Sequence, residues 1–201
     1  QTYGLQDRFT ALFMGSWHGP NVEAARHIAA MAVECPEVDF LLMGNVCDAP
    51  LGQLPANCHR LGMVSEAEKQ RWLATADCAL NPITSGAGSN LKLVEYAAAG
   101  LPVITTSFGN RGVCLRADEE CLAGDVEVFP TMLARLCAVE VAAPVLMVEA
   151  ARRRVEESFD WAVVAGLVAE QLPHSADIDA ETLPRPQEAG NINSGNIAEG
   201  T

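Results

Sequence analysis

Positive charge is scarce in this 201-residue chain: 13 Lys and Arg stand against 26 Asp and Glu, for a formal net charge of −13. Non-specific nucleic-acid binding needs clustered Lys and Arg to displace counterions, so the charge argues against it, and equally against a polybasic patch for an anionic membrane surface. No apolar run approaches the roughly 20 residues of a bilayer-spanning helix, and no signal-peptide pattern opens the sequence. No C-x-x-C occurs among the seven cysteines, Cys35, Cys47, Cys58, Cys78, Cys114, Cys121 and Cys137. An odd count without that spacing indicates neither a complete disulfide framework nor a zinc knuckle. Reduced thiols in a cytoplasmic protein fit better, with Cys78 in an apolar run and Cys137 on a helix acting as small hydrophobes. A dinucleotide-dependent oxidoreductase would show G-x-G-x-x-G after its first strand and an acidic residue at the end of its second, and neither is present.

What is present is a core-forming chain, 49% hydrophobic and long enough for one large or two small domains. Phe9–Met14 is a continuous apolar run stopped by Gly15, as expected of a strand buried on both faces. A helix is predicted from Gly19 and Pro20, with Glu23 complementing its dipole and Val22, Ala25, Ala29 and Ala32 as its buried stripe; it stops before Pro36. Val38–Met43, closed by Gly44, completes a βαβ unit with parallel strands. A loop over 46–57 and a shorter strand over 59–64 follow. Ser65 and Glu68 then form a capping box for a helix that turns Trp72 and Leu73 inward.

The most informative stretch is 81–106, NPITSGAGSNLKLVEYAAAGLPVITT. It reads as the end of a strand over 77–81, a glycine loop, a helix, a stop at Gly100 and Pro102, and a last strand over 102–106. Ser89 is the expected N-cap, with Leu91, Val94 and Ala98 on one helical face. A helix N-terminus fed by glycines favours an anion such as phosphate. Lys92 would add full positive charge in the first turn, and Glu95 lies close enough to meet a polyol beside that anion. The residues alone leave two readings open: a nucleotide-diphosphate socket, or an ordinary α/β loop with a solvated lysine and an exposed glutamate.

The alternation of strands and helices predicts a doubly wound, mostly parallel α/β sheet, with ligands outside the carboxyl ends of the strands. Gly15-Ser16 and the 84–89 loop then share one edge. Helices are expected over 130–139, 144–158 and 161–172, the second with a solvated Arg152-Arg153-Arg154 face. After Pro173 the chain has one basic and five acidic residues and little to bury, so 1–172 is expected as one domain and 173–201 as a disordered or linker tail. Opening at Gln1 in linker-like sequence, the chain is expected to be a piece of something longer.

Three segments together resemble the C-terminal, donor-binding half of GT-B glycosyltransferases of the family-four-like, group 1 type. FMGSWHGPNVEAARHI is similar to the first strand, glycine loop and PN-headed helix. HRLGMVSEAEKQRWLATADCALNPI is similar to the following strand, short helix and strand. GAGSNLKLVEYAAAGLPVITT is similar to the G-x-G-x-x-x-K-x-x-E-x-x-A-x-G-x-P-V-I signature. Beyond these three, VEESFDWAVVAGLVAEQL is also similar to the closing helix. The resemblance implies a Rossmann-like fold and sugar transfer, with retention, from a UDP- or GDP-type nucleotide sugar to a carbohydrate or other acceptor. The acceptor would be held by an N-terminal domain that this sequence does not supply.

Carried over residue by residue, the resemblance makes Lys92 and Glu95 the catalytic pair, with Glu95 accepting bonds from the ribose hydroxyls. Ser89, Asn90 and Leu91 would present backbone N–H groups to the diphosphate. Gly15, Ser16 and Gly88 would let the phosphates approach, and Gly44-Asn45 with 62–64 would sit against the base. Asp-x-Asp is missing apart from Asp177-Ile178-Asp179 near the C-terminus, so neither a metal nor a separate cofactor is expected, the donor being a substrate. Fixed dipoles and a lysine would stabilise the leaving charge. Two departures stand out. Ala87 occupies the place of a second, sugar-orienting glutamate, and the first loop offers Ser16, Trp17 and His18 where many members have Arg and Lys. Ala87 also keeps open a non-catalytic binding or interaction module derived from the same fold. His18 and Arg111 lie on the same edge, His18 as a candidate phosphate or sugar contact and Arg111 as a loop salt bridge or a phosphate contact.

Overall fold

A computed structural model of the chain describes residues 8–88, 90–138 and 142–171. Within them six parallel strands form one sheet: β1 (Phe9–Met14), β2 (Val38–Met43), β3 (Cys58–Gly62), β4 (Cys78–Asn81), β5 (Val103–Thr105) and β6 (Leu122–Ala123). Their order across the sheet is β3-β2-β1-β4-β5-β6. The helices are α1 (Gly19–Glu34), α2 (Glu66–Thr75), α3 (Lys92–Ala98), α4 (Phe129–Ala138), α5 (Ala142–Phe159) and α6 (Trp161–Gln171).

The continuous apolar strands follow from burial on both sides. Ala11, Phe13, Phe40 and Leu42 pack into one core with Ala25 and Ile28 of α1 and Leu133 of α4. Leu12, Leu41 and Met43 point the other way, into a second core with Leu73 of α2, Leu93 and Tyr96 of α3, and Val155 of α5. Helices therefore cover both faces of a parallel sheet, as the doubly wound reading expects. At the amino ends of the strands, Asp77 Oδ2 accepts from the Thr10 amide at 2.7 Å and the Thr10 hydroxyl at 2.9 Å, tying β4 to β1.

Several expectations are corrected. The buried stripe of α3 is Leu93, Tyr96 and Ala97, whereas Leu91 is 61% exposed. The helix starts at Lys92 with Leu91 at the cap position, so the cap expected at Ser89 is not the one used; Ser89 itself falls outside the described residues. In α1 the interior positions include Ile28 and Met31 in place of Ala29, and Glu23 lies beyond the first turn, where its carboxylate accepts from Ser85 Oγ at 2.9 Å. The third strand is shifted to Cys58–Gly62, and a sixth strand, β6, follows the one expected to be last. Cys137 is exposed. Arg154 turns back from its two solvated neighbours toward the carbonyl of Cys114, at 3.5 Å. The tail expected over 173–201 and the linker-like start at Gln1 lie outside the described residues.

Two loops at the carboxyl end of the sheet interlock. Gly15 N–H donates to the Met43 carbonyl at 2.9 Å, and Val46 N–H donates to the Gly15 carbonyl at 3.1 Å. Gly44 has φ +97°, and a Cβ there would lie 2.3 Å from the Gly15 oxygen. Only glycine permits this approach. Gly44→Ala is expected to destabilise the chain by about 3 kcal/mol through strain and displacement of the β1 loop. Urea unfolding checks this, and an unchanged midpoint would show that the two loops are not locked together.

Candidate functional site

The strand order reverses between β1 and β4, and the loops that leave these strands diverge to open a crevice. A wider cleft of about 580 Å³ is lined by Gly15, Ser16, Gly44, Lys92 and Glu95, together with Asn45, Met63, Val64, Glu66 and Lys69. A narrower one of about 190 Å³ is lined by Gly88, Asn90, Leu91 and Lys92, with His18, Asn21, Ala87 and Arg111. Lys92 borders both. The expected site residues that can be described therefore converge on one edge, although the first loop and α3 are more than seventy residues apart in sequence.

Each wall has a local cause. Asn21, in the first turn of α1, donates to the Ser16 carbonyl and hydroxyl, both at 3.1 Å, and so holds the β1 loop against the helix. Tyr96 accepts from the Met14 amide at 2.7 Å, pinning α3 to the end of β1. The glycine loop after β4 is clasped from two sides. A Cβ on Gly86, which has φ +107°, would lie 2.8 Å from the Pro20 ring, and Arg111 donates to the Gly86 carbonyl at 3.0 Å. Asn81, fully buried at the end of β4, donates to Thr105 Oγ1 and to the Gly109 carbonyl, both at 3.1 Å. Asn90 donates to that same Gly109 carbonyl at 2.7 Å, joining α3 to the loop after β5.

Lys92 and Glu95 have contrasting environments. Among the described residues, the Lys92 ammonium has an amide oxygen and a ring for partners and no carboxylate: it donates to Asn21 Oδ1 at 2.7 Å and sits 4.3 Å from the Phe13 ring centre. Glu95 is 45% exposed and faces the wider cleft, with its Oε2 2.9 Å from Lys69 Nζ. Lys69 also reaches Glu66 Oε2 at 3.1 Å. Among the described residues, the narrow cleft is lined by Lys92 and Arg111 and by no acidic side chain, whereas the wide cleft pairs its carboxylates, Glu66 and Glu95, with Lys69.

Among the described residues Arg111 makes no salt bridge, one of the two readings that sequence suggests. Its Nε donates to the Phe108 carbonyl at 3.0 Å, and its guanidinium stacks 3.5 Å from the Phe108 ring centre. His18 stands at the N-cap position of α1, without a side-chain capping bond, and lines the narrow cleft, while Trp17 is 57% exposed, with its amide donating to Asn45 Oδ1 at 2.7 Å. Sequence reading missed Asn21 and Lys69 as site residues. The PN heading of α1 was the available signal for Asn21, whereas nothing in the spacing signals that Lys69 meets Glu95.

Burial draws the Lys92 ammonium down from its ordinary 10.5 to about 8. Between those values the unfolded chain holds a proton that the folded chain has shed, so this group makes stability rise with pH across that window. Below about pH 8 both states are protonated and the desolvation penalty stands in full, about 3 kcal/mol. Lys92→Met is therefore expected to be more stable than its parent at pH 7, by up to about 3 kcal/mol less what the Asn21 bond and the ring contact supply. The advantage should shrink as pH rises from about 8 to 10.5. Urea unfolding of both chains at stepped pH measures it, and a difference that does not vary with pH would show that the lysine is not desolvated.

The sequence model of the family described as glycosyl transferases group 1 matches residues 8–139. Among solved structures, the fold is similar to the C-terminal domain of a glycosyl transferase group 1 family protein, LpcC, from Francisella tularensis. That match has 13% identity and a TM-score of 0.58, covering 76% of this chain and 86% of that one. It is also similar to Anabaena Alr3699/HepE in complex with UDP and glucose, at 16% identity and a TM-score of 0.67, covering 83% of this chain and 48% of that one. Sucrose-phosphate synthase from Thermosynechococcus elongatus matches at 19% identity and a TM-score of 0.66, over 82% of this chain and 44% of that one. The chain thus spans most of the isolated domain and under half of the other two proteins. No curated protein sequence matches it. Identities this low establish the shared fold, while the sequence model, which covers more than half of the chain, establishes kinship: the chain belongs to the group 1 glycosyl transferases.

Proposed function

We propose that this chain is the donor-binding half of a glycosyltransferase and holds a nucleoside diphosphate sugar of the UDP or GDP type. The observation that carries the reading is Lys92, a desolvated cation with no carboxylate partner among the described residues, placed where the two clefts meet. A diphosphate is the complement such a site lacks. The nucleoside fits the wide cleft, with its ribose hydroxyls donating to Glu95 and its base against Gly44, Asn45, Met63 and Val64. The diphosphate fits over Gly15 and Ser16 toward Lys92, with Gly88, Asn90 and Leu91 ahead of α3, and the sugar extends into the narrow cleft.

In the transfer, the bond between the anomeric carbon and the diphosphate oxygen breaks, and its electron pair stays on that oxygen. The acceptor hydroxyl forms the new bond and gives up its proton to the departing diphosphate. Lys92 stabilises the charge left on the diphosphate, and Arg111 faces the same cleft with no carboxylate partner among the described residues. We read the stereochemical outcome as retention and the acceptor as bound by a second domain. Cytoplasmic placement is supported by seven free thiols, five of them buried. No helix among the described residues is long and apolar enough to cross a membrane.

One observation favours a second reading. Ala87 lines the narrow cleft where a sugar-orienting carboxylate is expected, as it would in a binding module that no longer transfers sugar.

UDP or GDP at a hundredfold excess over its dissociation constant is expected to stabilise the chain by about 2.7 kcal/mol, read as a thermal shift. Lys92→Met should weaken that binding at least tenfold, about the value of one charge-assisted bond. Because the diphosphate selects the protonated lysine, affinity should fall as pH rises past about 8, by at most about tenfold per unit. No shift with any nucleoside diphosphate would end the donor-binding reading and leave only an interaction module, and an affinity flat with pH would remove Lys92 from the site.

A further inference from the structure

The wall of the wide cleft opposite α3 is built by α2, and Lys69 is the side chain that bridges them. Its ammonium lies 2.9 Å from Glu95 Oε2 and 3.1 Å from Glu66 Oε2. The contact with Glu95 spans 26 residues of sequence, so it is set by the fold and not by a shared helix. Lys69 is only 26% exposed, against 45% for Glu95. Glu66 is steadied in turn by Gln70 Nε2 at 2.9 Å. The result is a chain of polar contacts, Gln70 to Glu66 to Lys69 to Glu95, that ends on one oxygen of the carboxylate facing the cleft.

A half-exposed glutamate has three side-chain torsions and loses rotamer freedom when it grips a ligand. Losing that freedom before the ligand arrives makes binding tighter without any new contact to the ligand. We propose that Lys69 is a positioning residue for donor recognition: it holds Glu95 Oε2 against α2, so that the carboxylate meets the ribose hydroxyls already oriented. This rests on the ribose role given to Glu95 above. Its two carboxylate neighbours raise the pKa of Lys69 against the opposing effect of burial, which keeps it charged at neutral pH. An ion pair at the protein surface contributes little to stability, so the effect on binding can be read apart from folding.

The test uses the full chain with Lys69→Met, Lys69→Arg and Glu95→Gln. Binding of UDP and GDP, and of their counterparts with dideoxyribose, is measured by calorimetry, with thermal unfolding as the control for folding. Lys69→Met is expected to weaken the ribonucleotide about tenfold and to leave the dideoxy compound unchanged, as Glu95→Gln does. Lys69→Arg should restore most of the discrimination. If the parent binds the ribose and dideoxy forms equally, or binds neither, the ribose role of Glu95 falls and this inference with it. If the parent discriminates, and Lys69→Met either discriminates as well as the parent or weakens both forms equally, Lys69 does not act through Glu95 and this inference alone is overturned.

Discussion

The pairing of β1 with β4 decides where everything else in this molecule goes. β1 has β2 on its other side, so the chain must leave β1 toward one half of the sheet and leave β4 toward the other. Parallel strands point all these departures at the same edge. Two loops that begin as hydrogen-bonded neighbours are therefore forced apart, and the gap between them cannot be filled by either. The Asp77 bonds to Thr10 fix this pair at its start, and the Tyr96 bond to Met14 ties α3 to the end of β1. Side chains from α1 and α3 close the floor of the gap through the Lys92–Asn21 contact.

Within that gap, electrostatics is organised by withholding partners. A chain with a net charge of −13 has carboxylates to spare, yet the described lining of the narrow cleft has none. Lys92 rests on an amide oxygen and a ring, and Arg111 on carbonyls and a ring. Neither contact neutralises a cation, so both side chains keep their attraction for an anion while being held in place. The opposite policy governs Glu95, whose charge is met by Lys69 on one oxygen only. Holding a desolvated lysine without a carboxylate gives up stability, and the diphosphate site proposed above would give that loss a reason.

Much of this was legible in the residues, and the failures have physical causes. β1 and β2 were read to the residue because strands buried on both faces are apolar throughout and glycine stops them. The α2 capping box was equally plain, since Ser65 and Glu68 satisfy each other locally. The face of α3 was misread because KLVEYAA is apolar nearly all round, and seven residues contain two stripes of equal periodicity. Only the sheet beneath selects Leu93 and Tyr96. β6 is two residues long, too short for any pattern. At the site, the described signature residues lie together because their spacing along one loop and one helix fixes their neighbourhood. Lys69 could not be found that way, since its meeting with Glu95 depends on how α2 and α3 are docked.

The distribution of thiols has a practical consequence. Burial pushes Cys35 up to about 11 and Cys58 and Cys121 to about 12, and Cys47 and Cys78 are buried as well. Alkylating reagents act on exposed thiolates, so in the native fold they would modify Cys114 and Cys137 and spare the interior five. Cys114 follows the loop that carries Arg111 and takes the Arg154 contact from α5. A fluorophore attached there would sit beside the structural joint between the crevice and the C-terminal helices, giving an optical handle without an engineered cysteine.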